Sequence, residues 1–353
     1  MTREELLYLS AGENIDRLIT LDMRGTGVPR ILYEGARSRS GGPVCLSAAA
    51  KLDELSAPGD YLYFLTGFVF EPHGKGELDG LTGTVLLVRA LLLLKEVKPV
   101  IFCEEMLVPA VKRILLAAGV QPYDCLEELA GYPHACAVIG ISTDPETAQA
   151  QCADILRRQE PKLVFAIEKP GCNNRGVYHQ GNGRDVSYLC AKTDGLFTAC
   201  QERGIPAFAI GDLGNETGMG ALSETVRRYI PLGDRCACGC GGSLLAETSA
   251  QYLAVGTTSD WACYGVIAAL AVLNGNTGLI PSPDLERKVC ERANDCGLID
   301  GSGWAVPSID GISLEFNQLL LEMLRQVVEY PLRGVRAYGE TYDAVIFRGY
   351  FEK

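Results

Sequence analysis

Short apolar runs alternate with longer helix-patterned segments along almost the whole chain, and few folds satisfy that alternation. Residues 61–67, 100–103, 135–141, 163–167, 207–210 and 252–256 form the apolar runs. They read as strands. A near-continuous apolar strand, without polar alternation, is one covered on both faces. Between them, helical spacing predicts helices over residues 6–21, 43–55, 81–94, 107–118, 188–203, 218–228, 260–273 and 314–328. A further helix starts at Ser142-Thr143-Asp144-Pro145-Glu146, where a capping side chain precedes Pro, and runs to Arg158. Strands alternating with helices predict an α/β fold: a mostly parallel sheet with helices on both faces and active-site loops at the carboxyl ends of the strands.

Composition narrows the function. Acids outnumber bases 44 to 32, a net charge of -12, which argues against nucleic acid or an anionic membrane as partner. Three His make a His-rich metal centre unpromising, and carboxylates become the first place to look for chemistry. The start, Met-Thr-Arg-Glu-Glu, has no apolar signal segment. The longest apolar stretch, residues 261–273, falls well short of the ~20 residues that span a bilayer and reads as a buried helix. A cytoplasmic protein is therefore expected, with reduced thiols. Cys45, Cys103, Cys136, Cys190, Cys200, Cys263 and Cys290 sit among apolar neighbours and read as small core residues. Cys236, Cys238 and Cys240 form a C-x-C-x-C run. Zinc sites usually have wider spacing and a distant second pair, so the run reads as a Gly-rich turn with reduced thiols ahead of a metal site. No phosphate loop, dinucleotide fingerprint or Gly-x-Ser-x-Gly elbow is present, and no nucleotide cofactor is expected.

Four loops after strands are rich in Gly, acids and amides: 71–83, 168–187, 211–220 and 256–261. In open α/β sheets ligands bind at such strand ends. Glu168 and Asp212 each directly follow an apolar strand, which predicts a shared acidic site. Glu168, Asp212, Glu216 and Asp79 are candidates either to hold a hard cation, Mg or Mn, or to act as general acid and base. Helix starts at Gly218 and Asp260 would point free N–H groups toward the same edge and favour an anionic ligand. Asp260 and Asp310 are equally compatible with simple helix capping.

Taken together, GDLGNETGMG, TTSDWACYG, GELDGLTG and the AIEKPG to YHQGNGRDVS segment resemble the C-terminal domain family of D-glutamate cyclase. Ile15-Asp16-Arg17-Leu18-Ile19, Leu32-Tyr33-Glu34 and Asp310-Gly311 extend the resemblance nearly end to end. It implies one α/β unit over 1–353, with an N-terminal lobe over 1–130 and a C-terminal lobe over 131–353. Three positions depart from the family pattern: Asp260 replaces Asn, Ala262 replaces Gly and Leu78 replaces Thr.

The activity the resemblance implies is that of a lyase: dehydrative cyclisation of D-glutamate to 5-oxo-D-proline. The ammonium needs a base, the carboxylate must be neutralised, the oxyanion needs donors and the leaving hydroxide needs an acid. In that scheme Glu168 and Asp212 bind metal or move protons, with Glu216 or Asp79 in support. Glu168, Asp212 and Glu216 would be the metal ligands. Asn215, Gly214, Thr257, Thr258, Ser259, Asp260, Trp261 and Asp310 would contact substrate. Two rival classes use the same acids: a divalent-metal-dependent hydrolase of a small acidic metabolite, and a non-catalytic binder of one. All three imply a small-molecule partner, and a homo-oligomer is compatible with each.

Overall fold

The computed structural model describes residues 1–352. Its strands are β1 (Tyr61–Leu65), β2 (Val69–Phe70), β3 (Lys75–Gly76), β4 (Lys98–Glu104), β5 (Gln121–Tyr123), β6 (Ala135–Ile141), β7 (Leu163–Ile167), β8 (Ala207–Gly211) and β9 (Tyr252–Val255). Seven of these form one sheet in the order β5-β6-β4-β1-β7-β8-β9, and every pairing in it is parallel. The other two, β2 and β3, make a small antiparallel hairpin. The α/β expectation is met, and the apolar runs are the buried strands. All five residues of β7 and of β8 are buried.

The helices are α1 (Arg3–Ile19), α2 (Val28–Ser40), α3 (Val44–Leu55), α4 (Leu81–Lys95), α5 (Val108–Ala117), α6 (Pro145–Arg158), α7 (Asp194–Glu202), α8 (Ser223–Tyr229), α9 (Ser259–Leu273), α10 (Pro283–Asp295), α11 (Leu314–Ala337) and α12 (Gly339–Phe347). On one face α9 packs against α1, α3 and α4; on the other, α6 and α7 pack together and α7 rests on β7 and β8. A helix apolar on every side belongs inside, and α9 is buried from Ser259 through Val272. No helix among the described residues is long and apolar enough to cross a membrane. The seven cysteines expected in the core are all buried and free.

Several boundaries differ from the sequence expectation. The helix expected from residue 188 begins at Asp194, because the backbone before it turns inward and Ala191 N–H donates to Glu104, 3.1 Å away. No helix starts at Gly218, whose φ is 97°; a 3-10 turn and then α8 follow. Three helices escaped the pattern. One, α2, is short and rich in Arg and Ser, and it is bounded by Pro29 at its start and a left-handed Gly41 at its end.

Strand order places the site. From β1 the chain crosses to β4 on one side, and after α6 it returns to β7 on the other. The carboxyl ends of β1 and β7 therefore flank a topological switch point, where α/β sheets bind ligands.

The N-terminal layer is tied in by a buried carboxylate. Asp16 of α1 accepts from the Val44 and Cys45 N–H groups at the start of α3, at 2.5 and 3.1 Å. Pro43, at the cap position, offers no side-chain acceptor of its own. Asp16→Ala should therefore cost about 1–2 kcal/mol, read as a lower urea midpoint. An unchanged midpoint would show that the contact contributes nothing.

Candidate active site

Glu168 follows β7 directly, and its backbone sits in the left-handed region at φ 43°. Few side chains adopt that conformation without compensation. The compensation is local: Ser259 Oγ donates to Glu168 Oε2 at 2.6 Å, and Gly80 lies so close that a Cβ there would overlap the Glu168 side chain. Beneath it Lys169, fully buried, pairs with Glu104 at the end of β4 and donates to the Gly67 carbonyl at 3.0 Å. That pair clamps the ends of β4 and β1 to β7.

Asp212 follows β8. Its loop is organised by Glu216, whose carboxylate accepts from the N–H groups of Asp212, Leu213 and Gly214 at 2.9, 2.8 and 2.6 Å. A side chain at Gly211 would meet Glu216 Cδ at 2.8 Å, so Gly is required there. Asn215 donates to the His179 carbonyl at 2.9 Å, while its Oδ1 is buried without a partner.

Asp79 and Asp260 exchange places at two helix ends. Asp79, just before α4, accepts from Ser259 and Asp260 N–H of α9 at 2.9 and 2.8 Å. Asp260, in the first turn of α9, accepts from Gly80 and Gly83 N–H of α4 at 2.8 and 2.7 Å, and from Thr82 Oγ1. The α9 N–H groups expected to hold a ligand anion are thus taken by Asp79. Every donor facing Asp260 suits an acceptor-only carboxylate, which explains Asp where the resemblance implies Asn. The other expected contacts in this segment also go to the protein. Thr257 donates to the Leu21 carbonyl at 2.6 Å, and Thr258 caps α9 by accepting from Trp261 N–H at 3.1 Å. Trp261, fully buried, donates to Asn317 at 2.8 Å and stacks on Phe316.

Asp310 arrives from the loop before α11, with a left-handed φ of 54°. That loop is gathered by Asp300, which accepts from Ser302 N–H, Ser308 Oγ and Gly311 N–H at 2.7, 2.7 and 2.8 Å. Two residues the sequence analysis did not single out complete the group. Arg24, from the α1–α2 connection, pairs with Asp310 and lies 3.9 Å from Asp212. Glu77, buried beside the hairpin, faces Asp310.

A cavity of about 280 Å³ opens among these groups, lined by Arg24, Glu77, Glu168, Asp212, Asn215 and Asp310 and by Phe68, Phe70 and residues 180–182. Its size suits a metabolite, since drug-sized ligands occupy about 300–1,000 Å³. Arg24 is the only cationic side chain lining it among the described residues. A larger surface cleft of about 740 Å³ between α2 and α8 holds none of the clustered acids. The cavity brings together Glu168, Asp212, Asn215 and Asp310. Asp79 and Glu216 border it from within the packing, whereas Thr257, Thr258, Asp260 and Trp261 do not line it.

Burial raises the proton affinity of Glu77, Asp79, Glu168 and Asp212 well above the carboxylate range, and the neighbouring acids push it further. Burial likewise lifts Asp260 to about 6 against its hydrogen bonds. For Arg24, burial works against the charge, but Asp310 and Asp212 more than restore it. Hard-cation ligation is open to two overlapping sets, Glu168–Asp212–Glu216 and Asp79–Asp212–Asp310, each with oxygens within 4.8 Å of one another.

A family model described as "D-glutamate cyclase-like, C-terminal" matches residues 15–325. The chain belongs to the D-glutamate cyclase-like C-terminal family. The match includes every acid of the cavity as well as Arg24. A human protein named "D-glutamate cyclase, mitochondrial" is 33% identical over 131 residues, which cover 36% of this chain and 20% of that protein. The alignment with the human D-glutamate cyclase thus spans a fifth of the human protein's length.

In metal-free protein the sign of the pH dependence follows from the raised affinities. Such a carboxyl stabilises the fold below its unfolded pKa of about 4 and loses that contribution as pH rises through its folded value. Glu168→Gln removes one of these groups. Its melting temperature relative to the wild type should therefore climb as pH rises above the unfolded value of about 4. A difference independent of pH would show that Glu168 does not titrate as a buried acid.

Proposed function

We propose that this protein is a D-glutamate cyclase-like lyase that closes D-glutamate to 5-oxo-D-proline with loss of water. The observation that carries the proposal is the cavity's composition: several carboxyls with raised proton affinity around one guanidinium. Membership of the D-glutamate cyclase-like family supports D-glutamate as the substrate. D-Glutamate presents one ammonium and two carboxylates. Arg24, paired with Asp310 in the cavity, would take one carboxylate, and the acids would surround the ammonium.

The chemistry then needs two protonation states in one site. Crowded carboxyls whose proton affinities are raised by burial and by one another favour a mixture of protonated and ionised members. The ionised member of the Glu168–Asp212 pair takes a proton from the substrate ammonium. The freed amine attacks the side-chain carboxyl carbon, forming the C–N bond. The protonated member gives one proton to the departing carboxylate oxygen and then takes the second proton lost from nitrogen, while the first member returns its proton to that oxygen. The C–O bond breaks, water leaves and both carboxyls are restored. Asn215 lines the cavity and its Oδ1 has no partner, so it would accept from the substrate.

The donor set also fits a divalent cation of the Mg or Mn class. Glu168 and Asp212 would hold it, with Glu216 adding the lone-pair site left free by its three backbone bonds. When bound, such an ion would polarise the substrate carboxyl. A second reading, a divalent-metal-dependent hydrolase of a small acidic metabolite, is favoured by the two carboxylate sets that share Asp212, an arrangement able to hold paired ions.

Incubation with D-glutamate and Mn or Mg should yield a product lighter by one water, with none from L-glutamate. Phosphate release from simple esters without that product would favour the hydrolase. Glu168→Gln and Asp212→Asn should each lower kcat by about 10²–10⁴ while leaving the circular dichroism spectrum intact. Wild-type turnover in both would overturn the assignment. Arg24→Leu should chiefly raise KM, and an unchanged KM would remove Arg24 from substrate binding.

A further inference from the structure

Away from the acids, His179, Cys236, Cys238 and Cys240 bring one nitrogen and three sulfurs within 4.8 Å of one another. In an extended segment, residues two apart stand roughly 6.6 Å apart, too far for three thiols to share one small ion. Here Gly239 and Gly241 take φ of 85° and 76°, and the turns they permit fold the three thiols together. Cys236 Sγ lies 3.3 Å from Cys238 Sγ and 3.2 Å from Cys240 Sγ. The fourth group comes from a distant loop: His179 Nε2 lies 3.2 Å from Cys238 Sγ and 3.9 Å from Cys240 Sγ. Outer contacts hold the sulfurs in place, with Gly242 N–H 3.3 Å and Asn173 Nδ2 3.5 Å from Cys240 Sγ.

We propose that these four residues form a structural zinc site with a Cys₃His donor set, separate from the acid cavity. Three thiolates and one imidazole are the donors of a closed tetrahedral zinc centre, and thiolates select zinc over Mg or Mn. Binding releases the three thiol protons and forms three Zn–S bonds and one Zn–N bond, with no change of oxidation state. The site ties two loops across the cavity wall. His179 accepts through its carbonyl from Asn215, and residues 180–182, directly after it, line the cavity. The Cys loop is fixed to the same wall, since Ala246 N–H donates to the Gly214 carbonyl at 3.0 Å.

Protein produced in zinc-containing medium should carry about one zinc per chain by elemental analysis. Cobalt replacing it should show thiolate-to-metal charge transfer and tetrahedral d–d bands. Zinc content should fall to background in the Cys236→Ser/Cys238→Ser double variant and in His179→Ala, yet stay unchanged in Glu168→Gln. Should the cysteine variants fail to fold, titrating the wild type with a mercurial should release its zinc in step with thiol loss. The proposal is overturned by wild-type protein without stoichiometric zinc, by iron or copper in its place, by a disulfide among the three cysteines, or by zinc retained in the folded double variant. None of these outcomes depends on whether D-glutamate is the substrate.

Discussion

Two carboxylates exchanged between two helix starts hold the active region together. Asp79, just before α4, accepts from the first two N–H groups of α9, and Asp260 of α9 accepts from two N–H groups at the start of α4, so each helix start is satisfied partly from the other. Both helices are buried, and bare N–H groups at a buried helix end are costly. The exchange removes that cost and fixes the spacing of the helices. It also demands close approach: a Cβ at Gly83 would lie 2.9 Å from Asp260 Cα. Glu168 then rests between Gly80 and Ser259, one contact from each helix start.

The remaining acids crowd against this base at an energetic cost. Several desolvated carboxyls repel one another, and one guanidinium does not neutralise them. Protons, a cation or a cationic substrate group must do so. Glu168 and Asp310 also carry left-handed backbones, as is common where a fold is held for chemistry at the expense of stability. The ammonium of a zwitterionic substrate would relieve the same repulsion that raises the proton affinities. The site is thus poised to bind what it is short of.

How much of this was legible in the sequence depended on how local each signal is. The strands of the main sheet stood out because each is a continuous apolar run, except for β5, which is only three residues long and partly exposed. Glu168 and Asp212 were visible because they directly follow such strands. Arg24 and Glu77 were not, because only the tertiary fold carries the α1–α2 connection and the hairpin to this edge. Thr258 and Asp260 looked like ligand contacts because a helix start with polar side chains has one appearance whether it caps a helix or binds a substrate. Only the position of Asp79 tells the two apart.

The same limit accounts for the cysteines. C-x-C-x-C alone offers three soft donors, and the fourth, His179, lies more than fifty residues earlier on a loop whose other neighbours face the acids. The loop therefore has two sides with different chemistry. Its imidazole faces sulfur, which prefers a soft ion, and residues 180–182 face carboxylate oxygens, which prefer a hard one. That separation would let one chain keep the proposed zinc and a hard cation apart by donor type alone. The Asn215–His179 hydrogen bond joins the sulfur side of the loop to a residue that lines the acid cavity.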